Sequence, residues 1–176
     1  MNIQSLAQAQ TNPAPATTML KLLLPVDATE RSRWSIQYAL RRRQSGRPVA
    51  ATLLLVAEPV TDWQILRFYT QEQLRRFHAQ RAQHILEEAA LPLQQTNISV
   101  QLKFLEGDIA FEILDLAEQL DCDEIVLPLP HSRWAKLFST DIVRRVLERQ
   151  RGIPVVTVDA QGEPRPAAKA TYLMLL

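Results

Sequence analysis

Two short stretches hold the side chains that could do chemistry. In the first, residues 21–27 (KLLLPVD), an apolar run ends in the carboxylate of Asp27. A carboxylate there can accept hydrogen bonds from the hydroxyl or amine groups of a ligand. The second is residues 128–140, PLPHSRWAKLFST, lying between an apolar run and an amphipathic segment. A loop so placed usually carries glycines that let backbone amides close around a phosphate. This one has Pro128 and Pro130 and no glycine, so amide donors are missing where a triphosphate would need them. Asp141 also puts a negative charge at the helix start and satisfies the helix dipole itself. The chemistry left to the loop is side-chain binding of a smaller anion, by His131 and Arg133 with the hydroxyls of Ser139 and Thr140. The competing reading is a loop filled by Trp134 and Phe138.

Other reactive side chains are scattered. His78 and His84 lie six residues apart on a predicted helix, about 240° around its axis, so they cannot share a metal. The single cysteine, Cys122, excludes a disulfide framework and reads as a buried or turn thiol with no adjacent cation to activate it. Asp121, Asp123 and Glu124 precede a strand, at the opposite end from an expected ligand crevice, and read as a solvated turn. Neither a Ser-His-Asp arrangement nor a metal-ligand cluster can be assembled from spacing, so the expectation is a non-catalytic protein.

The elements that must position Asp27 and the 128–140 loop follow from apolar periodicity. Residues 21–27, 49–59 and 121–129 read as buried strands, 98–104 alternates as a half-buried edge strand, and 153–158 (IPVVTV) is the fifth. Between them lie four helices. The first has Thr29 or Ser32 as N-cap, buries Ile36, Tyr38 and Ala39, places Arg41, Arg42 and Arg43 in a solvated last turn, and stops at Gly46. The second opens on a Thr70 and Gln73 capping box, buries Leu74, Phe77, Ile85, Leu86 and Ala89, and ends at Pro92. Trp63, Phe68 and Tyr69 just before it are expected to cover the end of the sheet. Gly107 and Asp108 turn the edge strand into the third helix. The fourth buries Ile142, Val143, Val146 and Leu147 and turns Arg144, Arg145 and Arg149 outward. Right-handed crossovers then give an α/β fold: a doubly wound, five-stranded parallel sheet in the order 3-2-1-4-5 with helices on both faces. Its crevice opens between strands one and four, with Asp27 on one wall and the 128–140 loop on the other.

The whole chain sets the bounds. With 176 residues, 47% hydrophobic and 22% charged, it reads as one folded domain, and a net charge of +1 offers no field for nucleic acid or an anionic membrane. The opening residues 1–19 lack the pattern of a secretory signal and read as a disordered tail, so a cytoplasmic location is expected. Residues 160–176 read as a C-terminal tail whose apolar end, Tyr172 to Leu176, packs on the domain or on a partner.

Three stretches, LLLPVDATERSRWSIQYAL, EGDIAFEILDLAEQLDCDEIVL and RRVLERQRGIPVVTV, occur in an order and spacing that resembles the universal stress protein family over residues 20–159. The resemblance implies a small bacterial stress-response protein with no settled catalytic reaction. It also implies a homodimer joined through the last strand, here Val155, Val156, Thr157 and Val158, and an unidentified protein partner. One branch of that family binds ATP, and its adenosine contacts map to Asp27 and to the backbone near Val56. The same branch holds the phosphates on a loop of Gly, two residues, Gly, nine residues, then Gly with Ser or Thr. This chain has Pro128 and His131 at the first two glycine positions and Thr140 or Asp141 at the third. No cofactor is therefore expected through that loop. The alternative is an ATP or AMP switch using Asp27, Val56 and the side chains of His131, Arg133, Ser139 and Thr140.

Overall fold

The computed structural model describes residues 18–60, 67–129 and 139–166; the side chains of residues 139–141 are not described. Its elements run β1 (Leu20–Pro25), α1 (Ser32–Gln44), β2 (Val49–Ala57), α2 (Gln71–Gln95), β3 (Ser99–Glu106), α3 (Ile109–Gln119), β4 (Glu124–Pro128), α4 (Ser139–Arg149) and β5 (Val155–Val158). The strands form one parallel sheet in the order β3-β2-β1-β4-β5, as the apolar pattern predicts. Strand β1 sits at the centre. Its Leu22 and Leu24 pack with Ile36, Ala39 and Leu86 under α1 and α2, while Leu23 joins Leu54, Ile113 and Val146 under α3 and α4. Strand β3 is an edge, and its alternating exposure matches its period-two sequence.

Several local expectations are corrected. Helix α1 takes no side-chain N-cap from Thr29 or Ser32; Arg31 holds the cap position and Ser32 turns back toward Asp27. The Thr70 and Gln73 capping box forms as expected. Helix α2, however, runs through Pro92 to Gln95, the fully buried Leu93 anchoring one more turn against the lost N–H and the ring clash that a proline brings. The buried stripe of α2 is Ala82, Leu86, Ala90 and Leu93, whereas Phe77 is 59% exposed. Phe68 and Tyr69 are likewise exposed and do not cover the sheet. Trp63 lies outside the described residues.

Charges predicted to be solvated do positional work instead. Tyr38 Oη donates to Glu124 Oε2 at 2.6 Å, and Arg42 reaches both Tyr38 Oη (2.9 Å) and Glu124 Oε1 (3.2 Å), fastening α1 to the start of β4. Arg41 pairs with Glu163. Asp123 Oδ2 accepts from the backbone N–H of Lys21 at 2.7 Å. Asp108 caps α3 by accepting from Phe111 N at 2.9 Å and pairs with Arg145, with Arg149 at 3.5 Å, so Arg145 binds α4 to α3 and does not simply face water. The Phe111 amide, and then Arg145, hold the Asp108 carboxyl below the usual carboxylate range. Cys122 is buried, and burial pushes its thiol up despite the nearby Lys21.

Two outcomes test this packing. Leu23→Ala, at a position with no exposure, should cost about 2–5 kcal/mol in denaturant unfolding, while Phe77→Ala should stay within about 0.5 kcal/mol. Burial, then the hydrogen bond to Glu124, pushes the Tyr38 phenol up to about 12. A raised phenol contributes stability that is complete below the unfolded pKa of about 10 and lost as pH climbs through the folded value. Tyrosinate absorbance should therefore reveal one phenol ionising near pH 12. Tyr38→Phe should flatten the stability loss between about pH 10 and 12; the absence of a phenol ionising that high would contradict this.

Candidate functional site

Where β1 ends, the chain leaves the sheet with Val26 N still bonded to Leu54 O at 2.8 Å, and Asp27 begins a tight turn into α1. An aspartate two residues before a threonine closes such a turn on its own backbone. Here Asp27 Oδ1 accepts from Thr29 N (2.9 Å), Thr29 Oγ1 (2.6 Å) and Ser32 Oγ (2.8 Å), and Ser32 Oγ accepts from Asp27 N (2.7 Å). One carboxylate oxygen thus holds the turn, and no hydrogen bond from a described residue reaches the other, Oδ2. Sequence reading treated Thr29 and Ser32 as helix caps and missed this role, though the Asp-x-Thr spacing signals it.

Val56 stands on the neighbouring strand, two residues beyond Leu54, the last residue of β2 paired with β1. Leu54 offers its carbonyl to the β1 side, and backbone groups alternate, so the N–H and C=O of Val56 face the same side past the end of β1. Asp27 and Val56 together line a cavity of about 120 Å³ whose other walls are mainly apolar, including Leu54, Ile113, Leu127 and Val143. They also line a second cavity, of about 180 Å³, on the α2 side with His78 and Arg81. His84 lines a different groove, between α1 and α2.

The far wall is the exit of β4, where both backbone groups of Leu129 are already used. Pro128 has no N–H, Leu129 N donates to Val158 O at 2.8 Å, and Leu129 O accepts from Arg31 Nη2. Arg31, which sequence reading did not single out, crosses the crevice from the start of α1, its guanidinium 5.6 Å from the Trp34 ring. His131 and Arg133 lie outside the described residues, as do the side chains of Ser139 and Thr140. On the far side of the sheet, β5 pairs with β4 along Val155, Val156, Thr157 and Val158, and its outward edge meets residues 163–165 of the same chain. Among the described residues, no group of three His, Cys, Asp or Glu side chains could hold a metal, and no helix is long and apolar enough to cross a membrane.

Ser32→Ala should cost about 1–3 kcal/mol, because it strands the buried end of the Asp27 turn, whereas Thr29→Val at its exposed side should cost about 1 kcal/mol. Urea unfolding of the two variants checks this order.

The fold is shared with solved proteins. A universal stress protein from Lactobacillus plantarum superposes with a TM-score of 0.64 at 17% identity, covering 79% of this chain and 97% of that one. A universal stress protein family protein from Arabidopsis thaliana with AMP bound gives 0.55 at 16%, covering 80% and 91%. A universal stress protein in complex with cAMP gives 0.58 at 13%, covering 80% and 96%. No curated protein matches the chain. The sequence model of the universal stress protein family matches residues 19–166, most of the chain and all of its sheet, and the chain belongs to that family.

Proposed function

We propose that this chain is a non-catalytic universal stress protein that acts through protein contacts and holds no triphosphate. The carrying observation is the hydrogen-bond state of the β4 exit. A phosphate cradle built from backbone needs several free N–H groups converging on the anion. Pro128 and Pro130 have none, and the N–H of Leu129 between them is spent on Val158. Arg31 occupies the carbonyl at the same place.

A second reading, favoured by a different observation, is a nucleotide switch that takes AMP or cAMP on Asp27 and the Val56 backbone. Asp27 and Val56 line one cavity, and solved members of the family carry AMP or cAMP. The phosphate would then depend on side chains of the 128–140 loop, His131 and Arg133 with Ser139 and Thr140.

The two readings separate in thermal unfolding with ATP, AMP, cAMP and magnesium. A ligand at a hundred times its Kd adds about 2.7 kcal/mol, which raises Tm by about 5–11 °C for a chain of this length. No rise with any nucleotide is the expected result. A rise with AMP or cAMP that Asp27→Ala abolishes would establish the switch, and a rise with magnesium-ATP would overturn the reading of the β4 exit.

A further inference from the structure

The two helices on one face of the sheet leave a groove between them. It holds about 930 Å³ and runs along α1 and α2 from Asp27 and Phe77 at its upper end to Pro92 and Gln95 at its lower end. The lower half has an apolar floor, made by Ile36 of α1 with Ile85 and Ala89 of α2, and Leu91, 53% exposed, stands beside it. Arg33 reaches Glu88 across the groove at 3.8 Å, but both side chains are about two-thirds exposed, and such a pair contributes little and yields easily. Apolar surface gathered in one concave place marks a docking site for another apolar segment.

The chain leaves the sheet close to this groove. After β5, Gly162 N bonds Asp159 O at 2.9 Å and Asp159 N bonds Glu163 O at 3.0 Å, closing a hairpin whose Arg165 N returns to Thr157 O at 2.8 Å. The hairpin rests on α1: a Cβ added at Gly162 would come within 2.6 Å of Tyr38 N, and Glu163 pairs with Arg41. Ala160 and Gln161 border a second depression with Glu30, Arg33 and Gln37 of α1, and the same three α1 residues line the groove. One helix, about 10–12 Å across with its side chains, therefore separates the hairpin from the groove. Pro166 is the last described residue at this end. Residues 167–171 (AAKAT) span about 16–18 Å when extended, enough to pass over a helix, and the apolar run YLMLL follows at 172–176. Those five residues extend for about the same length again, which matches the ~15 Å of helix axis between Ile85 and Gln95. Residues 1–17 contain no comparable apolar run.

We propose that residues 172–176, which lie outside the described residues, are the occupant of the lower half of this groove. The segment passes over α1 beside Gln37 and lays its apolar side chains on Ile36, Ile85, Ala89 and Leu91 of the same chain. Phe77, at the upper end, stays uncovered. The groove is then an internal docking site, and a protein that uses it must bring an apolar run of its own and displace this one.

Methyl-labelled full chain tests this by NMR. Methyl groups of Leu173, Met174 and Leu175 should show NOEs to those of Ile85 and Leu91. Leu91→Asp, at an exposed position, should remove the contacts to Ile85 and move the three methyl shifts to free-peptide values. Leu173→Asp combined with Leu175→Asp alters no described residue and should lower Tm by at least about 2 °C. Free-peptide shifts for the three methyls in the unaltered chain would overturn the proposal, and so would contacts to a different face. A mixture of labelled and unlabelled chains separates one further case: contacts that appear only between chains would assign the groove to a second copy and refute docking within one chain. A Leu91→Asp chain that keeps its contacts to Ile85 would equally refute the seat.

Discussion

Strand β1 is buried on both faces, and the rest of the molecule is arranged around that constraint. Leu22 and Leu24 enter one layer and Leu23 the other, each almost fully shielded from water. Each such side chain contributes about 1.5–3 kcal/mol only if an apolar layer covers it, so helices must lie on both faces. Apart from the exposed Lys21 near its start, a strand enclosed in this way has no side chain to spare for polar chemistry. Its next polar group comes where it leaves the sheet, and there the chain places Asp27.

The turn at Asp27 and the exit of β4 form the two walls of one crevice, and both are governed by backbone accounting. On the first wall, three donors on Oδ1 hold the carboxylate in place and leave Oδ2 outside that network. On the second wall, Pro128 has no N–H, the β5 carbonyl of Val158 takes that of Leu129, and Arg31 donates to the Leu129 carbonyl. The two walls are built on different strands and can change independently.

Ion pairs join the layers without forming the core. Tyr38 and Arg42 tie α1 to Glu124 at the base of β4, and Asp108 ties the start of α3 to Arg145 and Arg149 of α4. Partly exposed pairs like these contribute about 1 kcal/mol or less each. Their effect is mainly geometric, fixing how far each helix slides along the sheet. The hairpin after β5 uses the same devices, with Asp159 as its hub and Arg41 as its anchor on α1. The Glu163 amide, then the Arg165 guanidinium, hold the Asp159 carboxyl below the usual carboxylate range.

The apolar runs of five strands and the 3.6-residue stripes of four helices were sufficient to read the sheet order and the crevice between β1 and β4, because burial writes a period into sequence. The placement of Asp27 at the end of β1 was readable for the same reason, whereas Val56 and the positions of the missing glycines were named only through the family resemblance. The partners of polar side chains were not readable. Ser32 closing on Asp27, Arg31 crossing to Leu129, Glu124 meeting Tyr38, and Arg145 meeting Asp108 depend on directions between elements, which carry no period. Asp159 and Gly162 do spell a turn locally, yet only the packed sheet brings Arg165 back onto Thr157. Local chemistry chooses the elements, and the registry of one packed layer on another decides which polar groups meet.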